Sequence, residues 1–331
     1  MKTAESFLTR SGIIFTFLFA LFTCVAFAQE NRTPSITKSF TLSGPGNLEV
    51  RTSGGGITVE GRSGNEVEVQ VFVRKNGHAI AASDPFMDEL KQSYDLVIEK
   101  NGNTVIASAK RIDKGKLWNN VSIAFHVLTP HNISGKLNTS GGGIKVSGVT
   151  GAQEMNTSGG GITLEEINGF VKAHTSGGGI RVSRQDGDLN VHTSGGGITI
   201  EDARGNITGH TSGGGIRLTN IDGTIDVHTS GGGINITGRA SYVKASTSGG
   251  NIHVDISDLS KGIELHTSGG GIKATIPGRQ GLDLDLNAGK VNIDLKNFSG
   301  RAEKGRIVGA MNGGGMPVRM SASGGNIDVV F

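Results

Sequence analysis

Four histidines recur at a single interval. His174, His192, His210 and His228 stand 18 residues apart, and His266 follows in the same local context. Asp226 lies two residues before His228. Imidazoles brought into one line could hold a transition metal or change charge near their ordinary pKa of about 6.5. Zinc takes three or four protein ligands, so two neighbouring rings alone make a weak site. The competing reading is a solvated column of neutral rings with no ligand. Either outcome requires an element that returns each histidine to the same place every 18 residues.

That element is a repeat. Thr-Ser-Gly-Gly occurs nine times, starting at Thr52, Thr139, Thr157, Thr175, Thr193, Thr211, Thr229, Thr247 and Thr267, and from Thr139 to Thr247 the interval is always 18. A period this short describes one supersecondary unit that must stack on its own copy to bury an apolar side. Within a unit, Val171, Ala173 and Thr175 share one parity, and after the glycines Ile180 and Val182 share another. Both halves alternate with period two, so each unit holds two short strands with one buried face and two turns. A strand meeting its own copy one period later pairs in parallel, about 4.8 Å away. The expected fold is all-β: a single-stranded parallel β-solenoid with coils of about 18 residues. Outward residues give an independent check. Lys145, Arg181 and Arg217 alternate with threonines, and Glu165 and Glu201 fall on the units between them. A stack would then place no like charges face to face.

Five segments follow. Residues 1–28 read as a signal peptide: Lys2 and Arg10 precede the apolar run Ile13 to Val25, and Ala26-Phe27-Ala28 forms a cleavage site before Gln29. A lipoprotein signal using Cys24 fits less well, because Thr23 stands where a small residue is expected. Residues 29–74 hold a leader and a first coil. Residues 75–134 interrupt the repeat as a mostly β insertion. Ser83-Asp84-Pro85 starts a short helix over Phe86 to Ser93, and strands are expected at Tyr94–Glu99, Thr104–Lys110 and Val121–Leu128. Residues 135–276 form the regular array, and 277–331 form degenerate coils and a cap.

Composition narrows the function classes. The net charge is +3, with both signs interspersed, so no basic block points to nucleic acid. Cys24 is the only cysteine, so a chain starting at Gln29 has no disulfide and no thiolate chemistry. No apolar run after the signal is long enough to span a bilayer. The glycine corners lack the Gly-Lys-Ser/Thr of a phosphate loop and the aspartates of calcium-binding glycine repeats. Thr175, Thr193, Thr211 and Thr229 share parity with buried Val and Ala, which favours an internal hydroxyl ladder over an exposed ice-binding array. The insertion holds His78, Asp84, Asp88, Glu89 and His126 without a catalytic spacing. No catalytic residue and no cofactor are expected.

One stretch carries a resemblance. Val121-Ser122-Ile123-Ala124-Phe125-His126-Val127-Leu128-Thr129-Pro130 precedes Leu137-Asn138-Thr139-Ser140-Gly141-Gly142-Gly143-Ile144-Lys145-Val146 and the repeated Thr-Ser-Gly-Gly-Gly-Ile. A strand ending in Pro that leads into Ser-Gly-Gly coils resembles the bacterial toastrack-type family of candidate adhesins, from roughly Phe40 onward. The resemblance implies an exported, non-enzymatic β-repeat protein of the cell envelope that takes part in adhesion; the leading reading is a surface or periplasmic scaffold with an envelope glycan or a surface protein as partner along its faces. It carries over no site residue. The alternatives are a carbohydrate lyase or hydrolase on a β-helix, and a metal- or ice-binding solenoid.

Overall fold

Every 18-residue unit closes into one coil, and each coil lies on the next in register. The fold was obtained as a computed structural model, which describes residues 33–112 and 120–331. The expected signal segment and Cys24 lie outside the described residues. Thr33–Phe331 form one unit, an all-β solenoid with one helix.

The first strand of a coil runs into the Thr-Ser-Gly-Gly corner, and the second leaves it. Val171–Thr175 pairs in parallel with Gln153–Thr157 on one side and Leu189–Thr193 on the other. Ile162–Asn168 pairs likewise with Ile144–Thr150 and Ile180–Asp186. From Ile198–Thr211 to Ile252–Thr267 the second corner is crossed without a break in the strand, so the two faces join through continuous strands. The core is the column of inward Ile, Val, Leu and Ala side chains. Ile162, Ile180, Ile198, Ile216 and Ile234 are each no more than 2% exposed.

The threonines point inward, as their parity implies. The Thr193 hydroxyl donates to the Gly178 carbonyl of the preceding coil at 2.6 Å and accepts from Gly196 N–H at 3.3 Å. The same pair of bonds recurs from Thr139 to Thr267. Each hydroxyl thus satisfies two backbone groups where chain and solvent part.

Both ends of the stack depart from chain order. The coil 46–62 lies between 133–150 and a coil built from Thr104–Arg111 and Val121–Pro130. At the other end, Met316–Ala322 and Ile327–Val330 insert between the 263–275 coil and the strand pair Leu282–Ala288 and Val291–Asn292. Antiparallel strands finish each end: Tyr94–Asn101 and Glu66–Lys75 at one, Arg306–Met311 and Phe298–Ala302 at the other. The segment 75–134 therefore shares the sheets of the array. Its helix, Phe86–Ser93, starts where Asp84 Oδ1 accepts the Phe86 N–H at 2.8 Å. Phe86, Met87 and Leu90 are buried beneath it.

Candidate functional site

The outward side chains form columns, because parallel in-register pairing stacks like positions. The histidine column is real: His174 pairs with His192, His192 with His210, and His210 with His228. The rings of His174 and His192 stack face to face, 5.0 Å apart and 7° from parallel. The next two steps are tilted near 50°, at 6.5 and 6.3 Å. His228 Nδ1 meets Ser246 Oγ at 2.8 Å, and Ser246 stands in register with His266. On the other side the column continues through Asn156 and Asn138, joined by an amide hydrogen bond of 3.2 Å. The four repeated rings are half-buried between their strand neighbours, and His266 is exposed.

Burial holds the His210 pKa below its ordinary value. The neighbouring Asp226 opposes that shift, and the rings of His228 and His192 add to it. Asp226 thus acts one coil away from the histidine nearest to it in sequence. Ring repulsion is expected from spacing alone; here desolvation is the larger cause. No cluster of three or more His, Cys, Asp or Glu able to hold a metal occurs among the described residues. The column supplies neighbouring rings in pairs along a line, without a third ligand.

Beside the histidines runs a second column whose charges alternate. In stack order it reads Glu49, Lys136, Glu154, Lys172, Asn190, Thr208, Asp226, Lys244, Glu264, Arg319 and Asp285. No two like charges are adjacent. The opposite face follows the same rule with Lys145, Arg181 and Arg217 separated by Thr163 and Thr199. Glu165 takes its ion pair from Arg184, at 2.6 Å.

Arg184 sits at the second corner, where each coil from Gly148 to Asn220 places one residue in the left-handed region. Glu166, Arg184, Asp202 and Asn220 have φ of 55°, 52°, 55° and 54°, and Gly148 takes the equivalent place. Their side chains reach the next coil: Arg184 bonds Glu166 at 3.0 Å, and Asn220 bonds Asp202 at 2.6 Å. Gly148, Asp202 and Asn220 are types that tolerate this conformation, whereas Glu166 and Arg184 are held in it by the closure of the coil.

The third surface is the glycine corner. In each Gly-Gly-Gly the middle residue lies against the coil before it. A Cβ on Gly178 would stand 2.4 Å from the Gly160 carbonyl oxygen. The third glycine is exposed, and its N–H finds no acceptor among the described residues at Gly161, Gly179, Gly197, Gly215 and Gly233. Grooves of about 450 and 590 Å³ run along this corner and share Asn251 and His253.

Residues 187–330 match the Toastrack DUF4097 family. The Toastrack match starts at Gly187 and takes in the later coils of the array and the C-terminal end; the motif residues 121–146 lie before it. No curated protein matches the chain. Among solved structures, a candidate lipid-binding protein from Parabacteroides distasonis is 16% identical with a TM-score of 0.42, covering 91% of this chain and 98% of that one. A candidate adhesin from Bacteroides fragilis is 14% identical with a TM-score of 0.28, covering 89% and 96%. A candidate cell-adhesion protein from Clostridium sporogenes is 10% identical with a TM-score of 0.20, covering 89% and 98%.

Proposed function

We propose that this chain is an exported, non-enzymatic adhesin or scaffold of the bacterial cell envelope, which binds glycan or protein along its faces. The observation that carries the reading is the set of in-register outward columns, unbroken from His174 to His228 and alternating from Lys145 to Arg217. A polymer lying along the stack meets the same side-chain type at every coil or every second coil, about 4.8 or 9.6 Å apart. Such a surface rewards repetitive, extended partners and offers many weak contacts in series. The Toastrack match and the small-residue motif Ala26-Phe27-Ala28 support the envelope setting. No helix of the described residues is long and apolar enough to cross a membrane.

A binding screen of the purified chain against envelope glycans and envelope proteins tests the reading. Retention of at least one such partner, with no release of reducing ends or unsaturated sugars, is the expected result. Turnover of a polysaccharide would replace it with the lyase or hydrolase reading. N-terminal sequencing of the exported protein should begin at Gln29. A lipid-modified Cys24 as first residue would anchor the protein to a membrane instead.

A further inference from the structure

We infer that the glycine corner is a groove for a linear anionic glycan; this rests on the adhesive reading above and names the partner. The first observation is the row of unpaired backbone donors. Third-position glycines from Gly143 to Gly233 are exposed residues whose N–H groups have no acceptor among the described residues. In a regular stack these donors recur about every 4.8 Å.

The second observation shows what those donors accept. Two coils carry Asn in place of the third glycine, Asn251 and Asn326, and Asn251 shows the contact. Its carboxamide oxygen takes the N–H of Gly271, the next residue in the column, at 2.8 Å. A side-chain oxygen therefore fits the slot that glycine leaves open elsewhere. Asn251 Oδ1 stands in for a ligand oxygen, and the array holds six such slots in succession, from Gly143 to Gly233.

The third observation is charge. Two residues beyond each third glycine, the outward column carries Lys145, Arg181 and Arg217 on alternate coils and Lys273 further on. These four are exposed and make no ion pair among the described residues. The carboxylates of this face, Glu165, Glu201 and Asp255, lie two residues further from the corner. Asp328 stands in the cation column itself beside Lys273, where Asn292 donates to it at 2.6 Å, so the purely cationic stretch runs from Lys145 to Arg217. The edge nearest the glycines is therefore cationic. A carboxylate on every second unit of an extended polysaccharide would meet one cation per two coils, about 9.6 Å, while its ring and hydroxyl oxygens take the N–H groups.

Alginate, a linear polyuronate, is the probe, with neutral dextran as control, in calorimetric titrations of the full chain. Two double variants test the parts separately. Arg181→Thr with Arg217→Thr installs the residue this column already carries at Thr163 and Thr199. Gly197→Asn with Gly215→Asn installs the residue the third position already carries at Asn251. Thermal melts of both should match the parent. Each should lose at least about tenfold in alginate affinity, the first by removing two charge-assisted contacts and the second by occupying two backbone N–H donors. Binding should weaken in high salt. Alginate ignored by the parent, alginate bound equally by parent and variants, or dextran bound as tightly would each overturn the groove. Adhesion to bacterial envelopes, measured in parallel, separates the two claims. Variants that adhere like the parent remove the groove and leave the adhesive reading. A parent that binds alginate without adhering removes the adhesive reading and leaves the groove.

Discussion

Single residues in this chain are constrained by the coil beneath them more than by their sequence neighbours. Gly178 shows it. A methyl group there meets the Gly160 carbonyl and the Gly161 nitrogen, both 2.4 Å away and both backbone. Gly178→Ala should destabilise by at least about 3 kcal/mol in denaturant titrations, because two coils must part. Thr193→Val keeps the shape and removes a hydroxyl that serves two backbone groups. Its expected cost is about 1–3 kcal/mol, the penalty for a buried carbonyl left unpaired. Glu166 is the opposite case. Its left-handed φ costs about 1–2 kcal/mol for a residue with a Cβ, and its ion pair with Arg184 is exposed and worth no more than about 1 kcal/mol. The strain wins, so Glu166→Gly should raise the melting temperature. His210 gives the pH dependence. Its folded pKa lies below the unfolded value of about 6.5, so the unfolded chain binds the proton better. The stability it contributes is present above pH 6.5 and is lost as pH falls through the folded pKa. NMR titration should place His210 below 6.5, and His210→Asn should flatten stability between pH 7 and pH 5.

At the scale of the strand, alternation decides both the core and the charge pattern. Ile198 is 1% exposed and Thr199 faces out beside it. Ile198→Asp should cost several kcal/mol, and Thr199→Asp less than about 1 kcal/mol, in matched thermal melts. Equal costs would contradict the inward–outward order. Lys244→Glu would put an acid between Asp226 and Glu264, a like-charge contact worth up to about 1 kcal/mol that high salt should relieve. Much of this was legible before any coordinates. The 18-residue period set the coil, parity set the faces, and Ser83-Asp84-Pro85 marked the helix of the 75–134 segment. The histidine column followed from the same period. The alternating charge column was also written in the sequence, but reading it through to Asp285 requires the true stack order. The left-handed corner at Glu166 and Arg184 was not legible, because it arises from closing a coil rather than from residue preference. The open N–H row was hidden for a like reason: a glycine does not reveal where its amide points.

The whole molecule is ordered by a stack that disagrees with the chain at both ends. In chain order, Glu264 would be followed by Asp285, two acids in contact. Inserting Arg319 between them restores alternation, and Arg306 closes the column with an ion pair to Asp285 at 2.8 Å. Arg319→Glu should therefore weaken the end of the stack by more than a substitution at an isolated surface site, with the loss seen as faster amide exchange over 282–311. Removing 316–331 would uncover two strand edges at once, at 263–275 and at 282–288. Size-exclusion chromatography should then show self-association through those edges.

The inserted coil also has a consequence in time. A solenoid stacked in chain order could lay down each coil as it leaves a ribosome or a secretion channel. Here residues 282–311 cannot take their places until 316–330 have arrived, because those residues lie between them and the array. Arrival of residues 316–330 becomes the step that seals this end of the stack, so a product interrupted or clipped before them keeps a raw edge that proteases can find.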